Sequence, residues 1–143
     1  MEPPVAYLLA HAGGLAARYS DATLRPFELT TRQYWLLVQL DLEPELTMTE
    51  LAQQLDVSRQ SLHEMVSLLE GAGYLVRAPG ASGRTRRLAL TPQAVRNLPL
   101  IARALREAEE AFFAGASPAA VEALRRLLRS TLALRTDDEA WLS

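Results

Sequence analysis

Val5, Leu8, Leu9, Ala12, Leu15, Ala16 and Tyr19 recur at three- and four-residue steps, which predicts an amphipathic helix over residues 4–24. Pro26 in "LRPFEL" breaks it. In "TTRQYWLLVQL", Thr30 followed three residues later by Gln33 forms a capping box and starts a second helix, over 31–41. Pro44 closes that stretch. "TMTELAQQL" repeats the start signal: Thr47 caps, and Glu50 is placed to reach back to the Thr47 N–H, giving a short helix over 48–55. Asp56 tolerates the turn that follows, and Ser58 caps a third helix in "RQSLHEMVSLLEGAG". Leu62, Met65, Val66 and Leu69 make its apolar face, and Arg59, Gln60, His63, Glu64 and Ser67 its polar one. Gly71 or Gly73 ends it in a left-handed turn.

The period then changes. "YLVRA" and "RRLALT" are short segments with Leu75, Leu88 and Leu90 expected inward and Arg77 and Arg87 outward. Turn residues lie between them in "PGASG", so the pair predicts a hairpin. Thr91 caps a new helix with Pro92 at its first position. Leu98, Ile101, Leu105, Ala108 and Phe112 carry it to about residue 114, with a kink expected at Pro99. Ser117-Pro118 opens a last helix bearing Val121, Leu124, Leu127, Leu128 and Leu132. Trp141 offers an anchor in the polar tail.

A short helix, a tight turn, a longer helix and a two-stranded hairpin make a winged helix–turn–helix. The fold expected is mainly α with a small two- or three-stranded β-wing. The winged helix–turn–helix domain occupies residues 31–91, and residues 1–30 and 92–143 supply a helical dimerisation region. The flanking helices carry apolar stripes longer than a unit of that size can cover, so a soluble chain needs a partner for them.

Charge sharpens this picture. The 143 residues carry a formal net charge of -2, and all fifteen basic residues are arginine. Residues 41–56 hold Asp41, Glu43, Glu45, Glu50 and Asp56 with no base. Residues 57–91 hold five arginines against Glu64 and Glu70. The only net positive block therefore coincides with the third helix and the hairpin. An α-helix fits the DNA major groove, and arginines on a hairpin suit the negative potential beside it. There is no cysteine, which removes disulfides and thiolate metal sites and fits a cytoplasmic protein. The N-terminal apolar run is soon broken by His11 and Arg18, so neither a signal peptide nor a membrane span is expected there.

"LTMTELAQQLDVSRQSLHEMVSLLEGAGYLVR" followed by "GRTRRLALT" resembles the MarR family of bacterial transcription regulators. "ELTTRQYWLLVQL" and "LTPQAV" match its flanks, and the resemblance covers roughly residues 8–135. It implies a homodimer built from the first, fifth and sixth helices. It also implies binding to a pseudo-palindromic double-stranded operator and repression relieved by a small anionic or phenolic effector. Two positions depart from the family pattern. Glu64 stands on the recognition helix where the family often has a DNA-contacting group, and the wing reads Ser82-Gly83-Arg84 where an acid usually orients the arginine.

The residues expected to meet DNA are Thr49, Ser58, Arg59, Gln60, Ser61, His63, Glu64, Arg84, Arg86 and Arg87. Arg59 suits guanine and Gln60 adenine as bidentate partners, and Glu64 can accept from cytosine N4. Arg86 and Arg87 point to opposite sides of their strand, so one is expected on phosphate and the other as a brace. Arg77 is expected to be a structural pairing residue. For the effector, which the resemblance places between the dimer helices and the DNA-binding lobe, the candidates are His11, Arg18, Tyr19, Tyr34 and Trp35. No metal or other cofactor is expected, because neither histidine has carboxylates at ligand spacing. No enzyme is expected either, because no nucleophile elbow or phosphate loop occurs. The competing expectation is a winged-helix protein–protein interaction module without strong DNA binding, with Glu64 and the acidic 41–56 stretch facing another protein. Arg84→Ala is expected to weaken DNA binding without unfolding the chain. Unchanged affinity alongside an unchanged thermal melt would remove Arg84 from the interface.

Overall fold

Five helices begin where a hydroxyl takes up an amide that the first turn leaves without a partner. The computed structural model describes residues 1–79 and 86–135, with only the backbone at Arg86. Helix α1 runs Val5–Leu24 and passes into a single 3₁₀ turn at Arg25–Phe27. Glu28, at φ 60°, turns the chain into α2, Thr31–Leu42. There the full capping box forms: Gln33 N donates to Thr30 Oγ1 at 3.2 Å, and Thr30 N donates to Gln33 Oε1 at 2.9 Å. Helix α3, Met48–Gln54, starts differently from the sequence expectation. Glu50 N donates to Thr47 Oγ1, but the Glu50 carboxylate accepts from the Thr47 hydroxyl at 3.0 Å instead of from its N–H.

Asp56 adopts φ 52° in the turn between α3 and α4, the left-handed conformation that Asp tolerates better than most residues. Helix α4, Arg59–Gly71, is capped by Ser58, whose Oγ accepts from Ser61 N at 3.0 Å. Of the two glycines that could end it, Gly73 is the one in the left-handed region, at φ 83°. That left-handed turn favours glycine; the atom nearest to where a Cβ would sit is the end of the flexible Gln93 side chain, which can move aside. Strands β1, Leu75–Pro79, and β2, Arg86–Leu90, pair antiparallel in the register Leu75↔Leu90 through Pro79↔Arg86.

Helix α5, Pro92–Phe112, begins at the Thr91 cap and runs unbroken through Pro99. Pro99 lies on the exposed side, so the Val95 carbonyl it leaves without a donor can turn to water. Helix α6, Pro118–Arg135, starts at Ser117. Arg125 ties it to α5 by donating to Glu109 at 3.2 Å, while also pairing with Glu122. No helix among the described residues is long and apolar enough to cross a membrane.

One core joins the end of α1, the helix–turn–helix, the base of the strands and the first half of α5. Leu24, Leu36, Leu37, Leu51, Leu62, Val66, Tyr74 and Ile101 are buried in it. Tyr74 brings the only hydroxyl among the largest buried side chains. It donates to Phe27 O at 2.7 Å and accepts from Asn97 Nδ2 at 3.2 Å, joining the 3₁₀ turn, β1 and α5. Outside this core the exposure is unusual. Helix α1 buries only Leu24, and α6 buries nothing among its described residues. Val5, Tyr7, Leu8, Leu9, Leu15, Leu127 and Leu134 are all exposed. Tyr74→Phe leaves the Phe27 carbonyl without its donor inside the fold, and a loss of about 1–3 kcal/mol is expected. Urea unfolding of the variant beside wild type checks it.

Candidate nucleic-acid interface

Helix α4 divides cleanly into two faces. Leu62, Val66 and Leu69 are buried, and Ser58, Arg59, Gln60, Ser61, His63 and Glu64 are all exposed. Arg59, Gln60, His63, Glu64 and Ser67 share one side of the helix, because their spacing returns to the same face every three or four residues. Thr49 is exposed at the start of α3. Asp56 fixes the angle between α3 and α4, and the α3 side chains Leu51 and Ala52 seat against the core. Among the described residues no cation pairs with Glu64. Arg59 lies five positions before it, outside the three- or four-residue reach along a helix.

The strands place their arginines unequally. Arg77 stands two residues after Leu75 and directly across from Leu88, so it shares their face and does not project from the opposite one. That corrects the outward placement expected from the sequence. The strand runs past the edge of the core at this point, and Arg77 Nε reaches Glu70 at the end of α4 at 3.0 Å. It is the pairing residue the sequence suggested. Arg87 lies on the other face, opposite Ala78, and its Nη1 donates to Glu45 in the loop between α2 and α3. Arg84, the Ser82-Gly83 pair before it, the Arg86 side chain and the Trp141 anchor lie outside the described residues.

A cleft of about 280 Å³ opens between α1, α2 and α5. Tyr19, Tyr34 and Trp35 line it together with Leu105, Arg106 and Phe112. Tyr19 meets Phe112 edge-on at 5.2 Å between ring centres. His11 and Arg18 are absent from its lining. Ala16, Tyr19 and Ser20 turn toward the cleft, which sends Arg18 to another side of α1. His11 lies two turns away, against Tyr7. The cation at this cleft is Arg106, which the sequence reading missed. It comes from α5, more than seventy positions after Tyr34, so nothing local in the sequence signals it. Burial raises the Tyr34 phenol above its ordinary value of 10.0, and the nearby Arg106 charge pulls it partly back. No group of three His, Asp or Glu side chains among the described residues is arranged to hold a metal ion.

The family model described as MarR family matches residues 27–87, the span from the 3₁₀ turn to Arg87. A Bacillus cereus HTH-type transcriptional regulator is 35% identical over 74 residues, covering 52% of this chain and 49% of that protein. The match thus spans about half the length of such relatives. The HTH-type transcriptional repressor Rv2887 of Mycobacterium tuberculosis is 33% identical over 91 residues, covering 63% of this chain and 66% of its own. Among solved structures, apo wild-type MarR from E. coli superposes with a TM-score of 0.76 at 20% identity, covering 92% of this chain and 99% of that one. The Rv2887 complex with salicylic acid superposes with a TM-score of 0.71 at 26% identity, covering 91% and 97%. Residues 27–87 thus match the MarR family as a winged helix–turn–helix, and the fold around them is the one that MarR-family structures share over about nine-tenths of the chain.

Proposed function

We propose that this chain is a homodimeric transcription regulator, a ligand-responsive repressor that binds a pseudo-palindromic site on double-stranded DNA. The observation that carries the proposal is the exposed face of α4. It presents Arg59, Gln60, Ser61 and His63 to solvent on a helix whose other face is locked into the core. Such a helix can enter the major groove without unfolding anything, and a positively charged wing beside it can meet the backbone. The apolar faces of α1 and α6 support the dimer, since a second copy is the simplest cover for Leu8, Leu15 and Leu127. A twofold pair would present two α4 helices to half-sites about 34 Å apart, one turn of duplex. Residues 1–30 and 92–143 would form the dimer region, and 31–91 the DNA-binding unit. Within the family, Rv2887 has been crystallised with DNA and with salicylic acid. The regulators among the relatives also favour a binding role for this chain over an enzymatic one.

An effector would enter the cleft between α1, α2 and α5. Its volume suits a ligand of about one ring, being near the small end of ligand sites. Arg106 can anchor a carboxylate, Tyr34 stays a protonated donor at neutral pH, and Trp35 and Phe112 offer ring faces. An aromatic carboxylate of the salicylate type fits that set. Binding would favour one spacing of the two DNA-binding units, and only to the extent that it prefers the cleft of that form.

Fluorescence anisotropy with the DNA upstream of the chain's own coding region tests the reading. Affinity is expected to fall steeply with salt, with a slope of about -0.9 in log K against log salt for each phosphate neutralised. Flat dependence, or no binding at low salt, favours the interaction-module alternative. Tyr34 gives a second check. Its folded value is raised, so its contribution to stability is complete below the unfolded value near 10.0 and is lost as pH rises through the folded one. Urea titrations on either side of that pH should show wild type losing stability relative to Tyr34→Phe on the alkaline side only.

A further inference from the structure

The pair between Arg87 and Glu45 is the contact in this molecule that a DNA regulator has least reason to keep. It joins residues 42 positions apart, from the acidic loop after α2 to the strand that leaves the wing. Arg87 lies in the one block of the sequence with net positive charge, and Glu45 in the block with no base at all. The pair neutralises a wing-strand guanidinium before any polyanion arrives.

The strand has other anchors beside the pair. Leu88, the next residue, is buried in the core with Leu40, and Leu90 packs against it, while Arg87 and Glu45 themselves line a small open cleft beside them with Asp41 and Pro44. Those core contacts tie β2 to α2 independently of the ion pair's charge. The pair itself is open to water: the Glu45 side chain is 75% exposed and that of Arg87 41%. Arg77 and Glu70 make the contrast, at 33% and 32%, bridging β1 to α4. An exposed pair contributes little to stability, so exchanging its anion costs little. A phosphate offers the guanidinium the same charge-assisted hydrogen bond as a carboxylate does.

We propose that Glu45 is a built-in competitor for the DNA backbone, a carboxylate that occupies Arg87 in the free protein and must yield it to a phosphate on binding. This rests on the DNA-binding reading above. Glu45 then lowers affinity for any duplex, and sites that pull the wing close are the ones that recover the loss. Glu43, on the same loop, is exposed and makes no such pair among the described residues, so it reports the effect of a loop charge alone.

Anisotropy titrations of Glu45→Gln, Glu43→Gln, Arg87→Ala and Glu45→Gln/Arg87→Ala against one duplex, at several salt concentrations, test it. Removing the competitor should tighten binding about two- to fivefold per protomer near 0.1 M salt and leave the salt slope unchanged, because Arg87 neutralises the same phosphate in both proteins. Glu43→Gln should change affinity by less than about twofold, because a distant charge is screened over about 10 Å at that salt. In the Arg87→Ala background, Glu45→Gln should shrink to the size of Glu43→Gln. Equal effects from the two loop variants, with DNA binding intact, overturn the competitor role and leave the regulator reading standing. Weaker binding by Glu45→Gln overturns it too and makes Glu45 a brace. Absence of DNA binding in every protein removes the regulator reading and this inference with it.

Discussion

A phenol hydroxyl inside an apolar core must be satisfied, and in this fold that requirement decides where three segments lie. Tyr74 is buried, yet its oxygen can neither face water nor go without partners at low cost. The Phe27 carbonyl and the Asn97 amide meet it from either side. One belongs to the turn that ends α1, the other to α5, so the two helices that flank the helix–turn–helix are pinned to the residue that begins the wing. Immediately before it, Gly73 turns the chain at φ 83°, and its carbonyl accepts from the hydroxyl of Thr91, the cap of α5. The wing thus leaves the core at a point tied to the α5 helix through Tyr74 and Thr91.

That geometry bears on regulation. The cleft lined by Tyr34, Trp35 and Arg106 lies between α1, α2 and α5, and α5 is the element that Tyr74 and Gly73 hold to the wing. In the proposed function, a ligand wedged there would act on the same helix that positions the hairpin. The Arg125 contacts to Glu109 and Glu122 carry α5 on to α6, whose apolar side is uncovered. In the proposed function, reading face, cleft and assembly surface would all connect through α5, which would make it the element able to bias one against another.

Much of this was legible in the chain itself. Thr30, Thr47, Ser58, Thr91 and Ser117 announced their helices because capping is local chemistry, decided within three residues. The buried face of α4 followed from spacing alone, and Asp56 and Gly73 marked their turns because few residues tolerate positive φ. What stayed hidden was set by tertiary contact. Arg77 looked outward by its charge, but alternation puts it on the Leu75 face, where Glu70 receives it. Arg106 and Glu45 gave no local sign, since each meets its neighbours across a fold that brings distant segments together. The Glu50 carboxylate chose a hydroxyl over an amide, a difference of geometry too fine for spacing to carry.

Helix α1 has one more property. Gly13 and Gly14 sit together in its interior with nothing near enough to need the space. Two glycines cost about 2 kcal/mol of helix propensity relative to alanine. With almost no burial of its own to offset that, the segment before them lacks the means to stay wound unaided. Its winding is on loan from whatever surface lies across it, so amide exchange over residues 5–12 would register whether that surface is in place, while the rest of the protein keeps its shape.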